Sequence, residues 1–176
     1  MDDKGDGSVR RAALLREFAE LENRAMWSCQ GQFEQAKSWQ SMNTWVGSIS
    51  AACAAISGAL VLAAHGLDIV GGLLALVAAA GGAILTIVNA SQRATKATAA
   101  ANAYLEIQNA ARRARRVDVP WIDLQEARNI LQSLTERMDE QNKSAEPIAP
   151  RAYRRAGKNI RKGGQKATVE ELSAND

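Results

Sequence analysis

The side chains best suited to chemistry are few and scattered. The chain has a single histidine, His65, and two cysteines, Cys29 and Cys53. One imidazole and two separated thiols do not make a metal-ligand set. No serine has a histidine base close by, so a serine nucleophile would lack its activating partner. The glycine pairs Gly71-Gly72 and Gly81-Gly82 lie in an apolar run with no lysine after them, unlike a phosphate-binding loop. These residues point away from an enzyme and imply no cofactor and no metal. The cysteines make no disulfide framework and read as small buried side chains. His65 is read either as a turn residue at headgroup level or as a ligand or proton-relay group.

Two other sets of residues stand out by position. Asn43, Ser50 and Ser57 are seven apart, and Thr86, Asn89, Arg93 and Lys96 step by three or four. Ser50, Ser57, Thr86 and Asn89 are the candidates to line a water path where several copies assemble. In the competing reading, the serines and threonines satisfy their own helix backbones. The second set is basic. Arg112, Arg113, Arg115 and Arg116 form a cluster at a helix end, read as a solvated terminus favoured by the helix dipole or as an anion site. Arg151, Arg154, Arg155, Lys158, Arg161, Lys162 and Lys166 make a stretch without an acidic residue, suited to anionic lipid. Only Tyr153 is available to stack on a base there, and no specific nucleic acid is expected as a partner.

The elements that must position these residues centre on Trp45 to Asn89. No ionisable residue occurs from Val46 to Ala64 or from Ile69 to Val88. Each run is about 20 residues, enough to span about 30 Å of hydrocarbon as a helix. Ile69 to Val88 holds ten Ile, Leu or Val residues and Val46 to Ala64 holds six, so the second run carries the weaker first one. The reading is a helical hairpin that crosses a bilayer twice; a buried hairpin in a soluble bundle is the competitor. A slightly negative mean hydropathy hides this apolar middle between polar arms. Small residues recur every fourth position in two rows, Gly47, Ala51, Ala55, Ala59 and Ala63, and Gly71, Ala75, Ala79 and Ala83. Such rows let helices approach closely in lipid, within one hairpin or between copies.

The flanks set the orientation. The turn between the runs has no Lys or Arg, whereas Lys37, Arg93, Lys96 and the arginine cluster lie on the other side. The positive-inside rule therefore puts both termini in the cytoplasm. Trp39 and Trp45 sit where interfacial aromatics are expected. Residues 1–11 are polar and no apolar stretch follows closely, so no cleavable signal peptide is expected.

The arms read as helices. Leu14, Phe18, Leu21, Ala25, Ser28, Gln32, Ala36 and Trp39 share one face of a long helix. Ser91 to Arg116 has nine alanines and neither Gly nor Pro, so the second span is expected to continue as one rod. Pro120 ends that rod. Leu124, Ala127, Leu131, Leu134 and Met138 mark a return helix. Pro147, Pro150, Gly157, Gly163 and Gly164 are read as breaks in the tail. The expected fold is all-α, an integral membrane two-helix hairpin with a cytoplasmic three-helix bundle and a disordered basic C-terminal tail. Residues 8–142 form one two-span domain: an amphipathic helix over 9–43, spans over 45–64 and 69–89, an extension over 90–116 and a return helix over 121–142. Residues 143–176 form the polybasic tail.

This layout resembles the SLATT group of bacterial two-span defence effectors, on the hairpin Trp45 to Asn89 and the following ANAYLEIQNAARR (Ala101 to Arg113). The resemblance is one of architecture and texture over residues 10–142. It implies an oligomeric effector in the bacterial inner membrane that forms pores or disrupts the bilayer. It also implies a cytoplasmic nucleotide-synthesising or nucleotide-sensing partner protein. A phage holin-like pore protein and a non-toxic membrane scaffold remain as alternatives.

Overall fold

The structure is a computed structural model that describes residues 3–62 and 68–163. Every regular element among them is helical: α1 (Asp3–Leu62), α2 (Asp68–Val88), α3 (Ala90–Arg113), a π-helical turn (Ala114–Asp118), α4 (Leu124–Ser144) and α5 (Pro150–Arg161). His65 and Ala63 of the expected turn, and Lys166 and Gly164 of the tail, lie outside the described residues. The chain divides into two compact units. One, the hairpin unit, is Ala36–Lys96; the other, the arm unit, takes the chain up to Gln35 and from Ala97 onward.

In the hairpin unit, α1 and α2 are long and apolar enough to cross a membrane. No proline interrupts α1 over its 60 residues. The expected rod is interrupted at Asn89, which takes a left-handed φ of 50°. That conformation is uncommon for a residue with a Cβ, and asparagine is among the few that tolerate it. The ladder survives on either side, since Asn89 N donates to Leu85 O at 2.9 Å and Arg93 N to Asn89 O at 3.1 Å. Arg93 Nε takes up the Val88 carbonyl at 3.1 Å, and Asn89 Nδ2 donates to Gln92 Oε1. Helix propensity was a sound guide to the alanines but could not register this single residue.

In the arm unit, Phe18, Leu21, Ala25 and Cys29 of α1 join Ala100, Tyr104, Ile107 and Ala111 of α3 and Ala127, Leu134 and Met138 of α4 in one buried cluster. Those positions repeat by three and four on α1 and α3 and by seven and four on α4, as expected for packed faces. The α3 ladder widens at its end, where Val119 N reaches back to Ala114 O at 2.9 Å just before Pro120. Asp123 caps α4 by accepting from Glu126 N at 2.8 Å.

Over the described part of the tail, residues 143–163, the structure places a helix where disorder is expected. Pro150 starts α5 rather than breaking a chain, because the first helical position needs no N–H donor. Gly157 lies inside α5, where a Cβ would stand 3.2 Å from Trp27 Cζ3. Gly163, at φ 83°, ends the helix, its N–H donating to Ile160 O at 3.0 Å. Ala152, Ala156 and Gly157 are buried, so the arm unit holds a fourth helix besides the expected three.

Candidate functional site

The hairpin closes on a seam that only partly follows the expected small-residue rows. Gly71, Leu74, Ala78, Gly81, Leu85 and Val88 of α2 are buried or half-buried, in steps of three and four. Across from them on α1 stand Val46, Gly47, Ser50, Cys53, Ser57 and Leu60. A Cβ on Gly81 would collide with Ser50 Oγ, and one on Gly71 would meet Leu60 Cβ at 3.6 Å and Ser57 O at 3.7 Å. Gly47 and Gly71 therefore belong to the seam. Ala51, Ala55, Ala59, Ala75, Ala79 and Ala83 are exposed and face away from it.

The water-path candidates separate in the same way. Ser57 is buried and donates to Gly71 O at 2.8 Å, tying the two helices together. Ser50 is half-buried against Gly81. Thr86 is exposed and donates to Gly82 O of its own helix at 3.0 Å, as in the self-satisfied reading. Asn89 is exposed at the left-handed break. The structure does not bring the four together. Around the seam, the outer surface is apolar: Leu62, Ile69 and Ile87 are over 80% exposed, and only 6% of the most apolar window of either helix is buried. At the end of the hairpin unit, the Arg93 guanidinium lies over the Trp39 ring, 5.2 Å from its centroid.

In the arm unit, the arginine cluster is neither wholly solvated nor an open anion site. Arg112 Nε donates to Glu22 Oε1 at 2.8 Å, and Arg115 donates through Nε and Nη2 to Oε2 at 3.1 and 2.9 Å. Burial of the Glu22 carboxyl alone would raise its pKa, but the two guanidiniums outweigh it and hold the carboxyl below its usual range. Arg11 donates to the carbonyls of Val119 and Ile122, fixing the turn before α4. Burial pushes the Cys29 thiol up to about 11, so it stays a neutral core side chain.

Glutamines of α1, of which periodicity marks only Gln32, hold the fourth helix. Gln32 Nε2 donates to Glu146 O at 2.9 Å. Gln35 Nε2 donates to Pro147 O at 3.1 Å, while its Oε1 accepts from Ala149 N at 2.7 Å. Gln30 Oε1 accepts from Asn159 Nδ2 at 3.2 Å. Three glutamines within six residues of α1 were the available signal. Trp27 stacks on Tyr153 with ring centroids 5.7 Å apart. Away from this contact α5 carries Arg151, Arg154, Arg155 and Lys158, whereas the Arg161 guanidinium lies over Gly157 on the Trp27 side; these residues, and Lys162 just beyond, are all exposed.

Beside the Trp27–Tyr153 stack lies an open cleft of about 500 Å³. Asn23, Arg24, Trp27 and Ser28 of α1, Met138 and Asn142 of α4, Ile148 and Tyr153 line it. The Tyr104 hydroxyl, its pKa raised by burial, donates to Asn142 Oδ1 at 2.9 Å. Among the described residues, no group of His, Cys, Asp and Glu is placed to hold a metal ion. No family model, curated protein or solved structure matches the chain.

Proposed function

We propose that the chain is a two-span protein of the bacterial inner membrane, with both termini in the cytoplasm, that assembles into an oligomeric effector able to breach the bilayer. The observation that carries the membrane part is the bare hairpin. Twelve of its large apolar side chains, from Trp45 to Ile87, are exposed. Full burial is worth about 1.5–3 kcal/mol for each such side chain, so leaving them in water forgoes on the order of 20 kcal/mol. That exceeds the roughly 5–15 kcal/mol that holds a whole domain together. A soluble bundle would cover them; lipid does so without further protein.

Assembly rests on the outward rows. Ala51, Ala55 and Ala59 on α1, and Ala75, Ala79 and Ala83 on α2, leave flat faces free for a second hairpin. Because Ser50 and Ser57 lie inside the seam, a water path that uses them requires the two helices of a hairpin to part. The resemblance to the SLATT group supports an antiphage effector role and a cytoplasmic nucleotide-synthesising or nucleotide-sensing partner. The exposed basic face of α5 supports contact with anionic lipid headgroups. The inward serines also favour a second reading, a membrane scaffold that leaves the bilayer intact.

Membrane potential and dye uptake in cells expressing the chain from a controlled promoter separate the two. The effector reading expects rapid depolarisation with growth arrest, weakened by Ala55→Leu together with Ala79→Leu. Intact potential at high membrane-inserted levels, alone and with the genes beside it co-expressed, would leave the scaffold.

A further inference from the structure

We infer that the cleft between α1, α4 and the start of α5 binds a small ligand that joins a flat aromatic ring to an anionic group. The inference concerns the arm unit alone and does not depend on what the hairpin does. The cleft volume, about 500 Å³, falls in the range of small-molecule sites. Its lining is mixed in the manner of such sites. Trp27, Met138 and Ile148 supply apolar surface, and Asn23, Ser28 and Asn142 supply hydrogen-bonding edges.

Charge fixes the sign of the ligand. Arg24 is the one charged residue of the lining, it is exposed, and no carboxylate pairs with it among the described residues. A planar guanidinium in that position suits a carboxylate or phosphate. Asn142 has its carbonyl oxygen engaged by Tyr104, which leaves its amide N–H groups to donate to the same ligand. A cationic ligand would face Arg24 without a counter-charge, and a purely apolar one would leave these edges unmatched.

The aromatic pair fixes the shape. Tyr153 is 52% exposed, its ring lies 29° from the plane of Trp27, and both residues line the cleft. A flat ring extends that stack. The wall is held in place from behind: Gly157 admits the Trp27 ring, and Gly31 admits Ile148, whose Cγ2 would stand 3.3 Å from a Cβ there.

The test uses the full chain in detergent with 15N-labelled tryptophan, whose four indole N–H signals report on four sites. Trp27→Phe assigns the Trp27 signal. Flavin mononucleotide and adenosine monophosphate are the probes, since each carries ring and charge; riboflavin, adenosine and inorganic phosphate carry one or the other. At least one of the two phosphorylated probes should move the Trp27 signal to saturation. Its ring-only and charge-only counterparts should bind at least about tenfold more weakly, the loss of roughly one good contact. Arg24→Gln should weaken binding to a similar extent while leaving the ligand-free Trp27 signal in place, which shows the wall still folded. A Trp27 signal unmoved by both probes would overturn the inference. So would equal affinity in Arg24→Gln, or a shift shared by all four indoles, which marks partition into the micelle.

Discussion

Glu22 takes three hydrogen bonds from Arg112 and Arg115 at the end of α3. Its side chain is only 14% exposed, so removing the carboxylate strands two guanidiniums near the core. Glu22→Gln should therefore cost about 2 kcal/mol in denaturant unfolding of the arm unit. The sign of the pH dependence follows from the lowered carboxyl. Its contribution is complete above the ordinary value of 4.5 and is lost as pH falls through the lowered one. Unfolding followed from neutral pH down to about pH 3 should show that acid loss in the native chain and a flatter profile in Glu22→Gln. The arginines were visible in the sequence as a cluster. Their partner was not, because it lies ninety residues away in the chain and nothing in local spacing joins Glu22 to Arg112.

At the scale of elements, periodicity made the long helices legible but not the way they face one another. Both small-residue rows fit a packing face equally well on paper. The structure puts Gly71 and Gly81 in the seam and turns Ala75, Ala79 and Ala83 outward, because Ser57 and Ser50 sit against the two glycines. Gly81→Leu should therefore force the hairpin apart, at roughly 1–3 kcal/mol for an overpacked contact, whereas Ala79→Leu should leave the seam intact. Cysteine crosslinking across the seam, at Gly47→Cys with Leu85→Cys, distinguishes the two: it should fall in the first background and persist in the second. The fourth helix was hidden for another reason. Prolines and glycines read as breakers in a sequence, whereas Pro150 starts α5, Gly157 packs on Trp27 and Gly163 ends it. Ala156, on the inner face of α5, is fully buried. Ala156→Asp should place an unpaired charge there, at about 3 kcal/mol or more, and detach the helix. Hydrogen exchange should then quicken over residues 152–160.

For the whole molecule, composition marks an apolar middle between polar arms, with Asp68 the one charged residue from Val46 to Val88, but it does not mark the division into two units, which falls at Ala36 and Lys96. The bare apolar surface of the hairpin supports the proposed contact with lipid. The most direct measurement is labelling of single cysteines by a membrane-impermeant maleimide on spheroplasts, with Cys29 and Cys53 replaced by serine. Asp68→Cys, at the start of α2, should label from outside, whereas Ser41→Cys and Arg154→Cys should label only after lysis, with the chain sedimenting in the membrane fraction throughout. Labelling of all three only after lysis, with the chain left in the supernatant, would contradict a two-span hairpin.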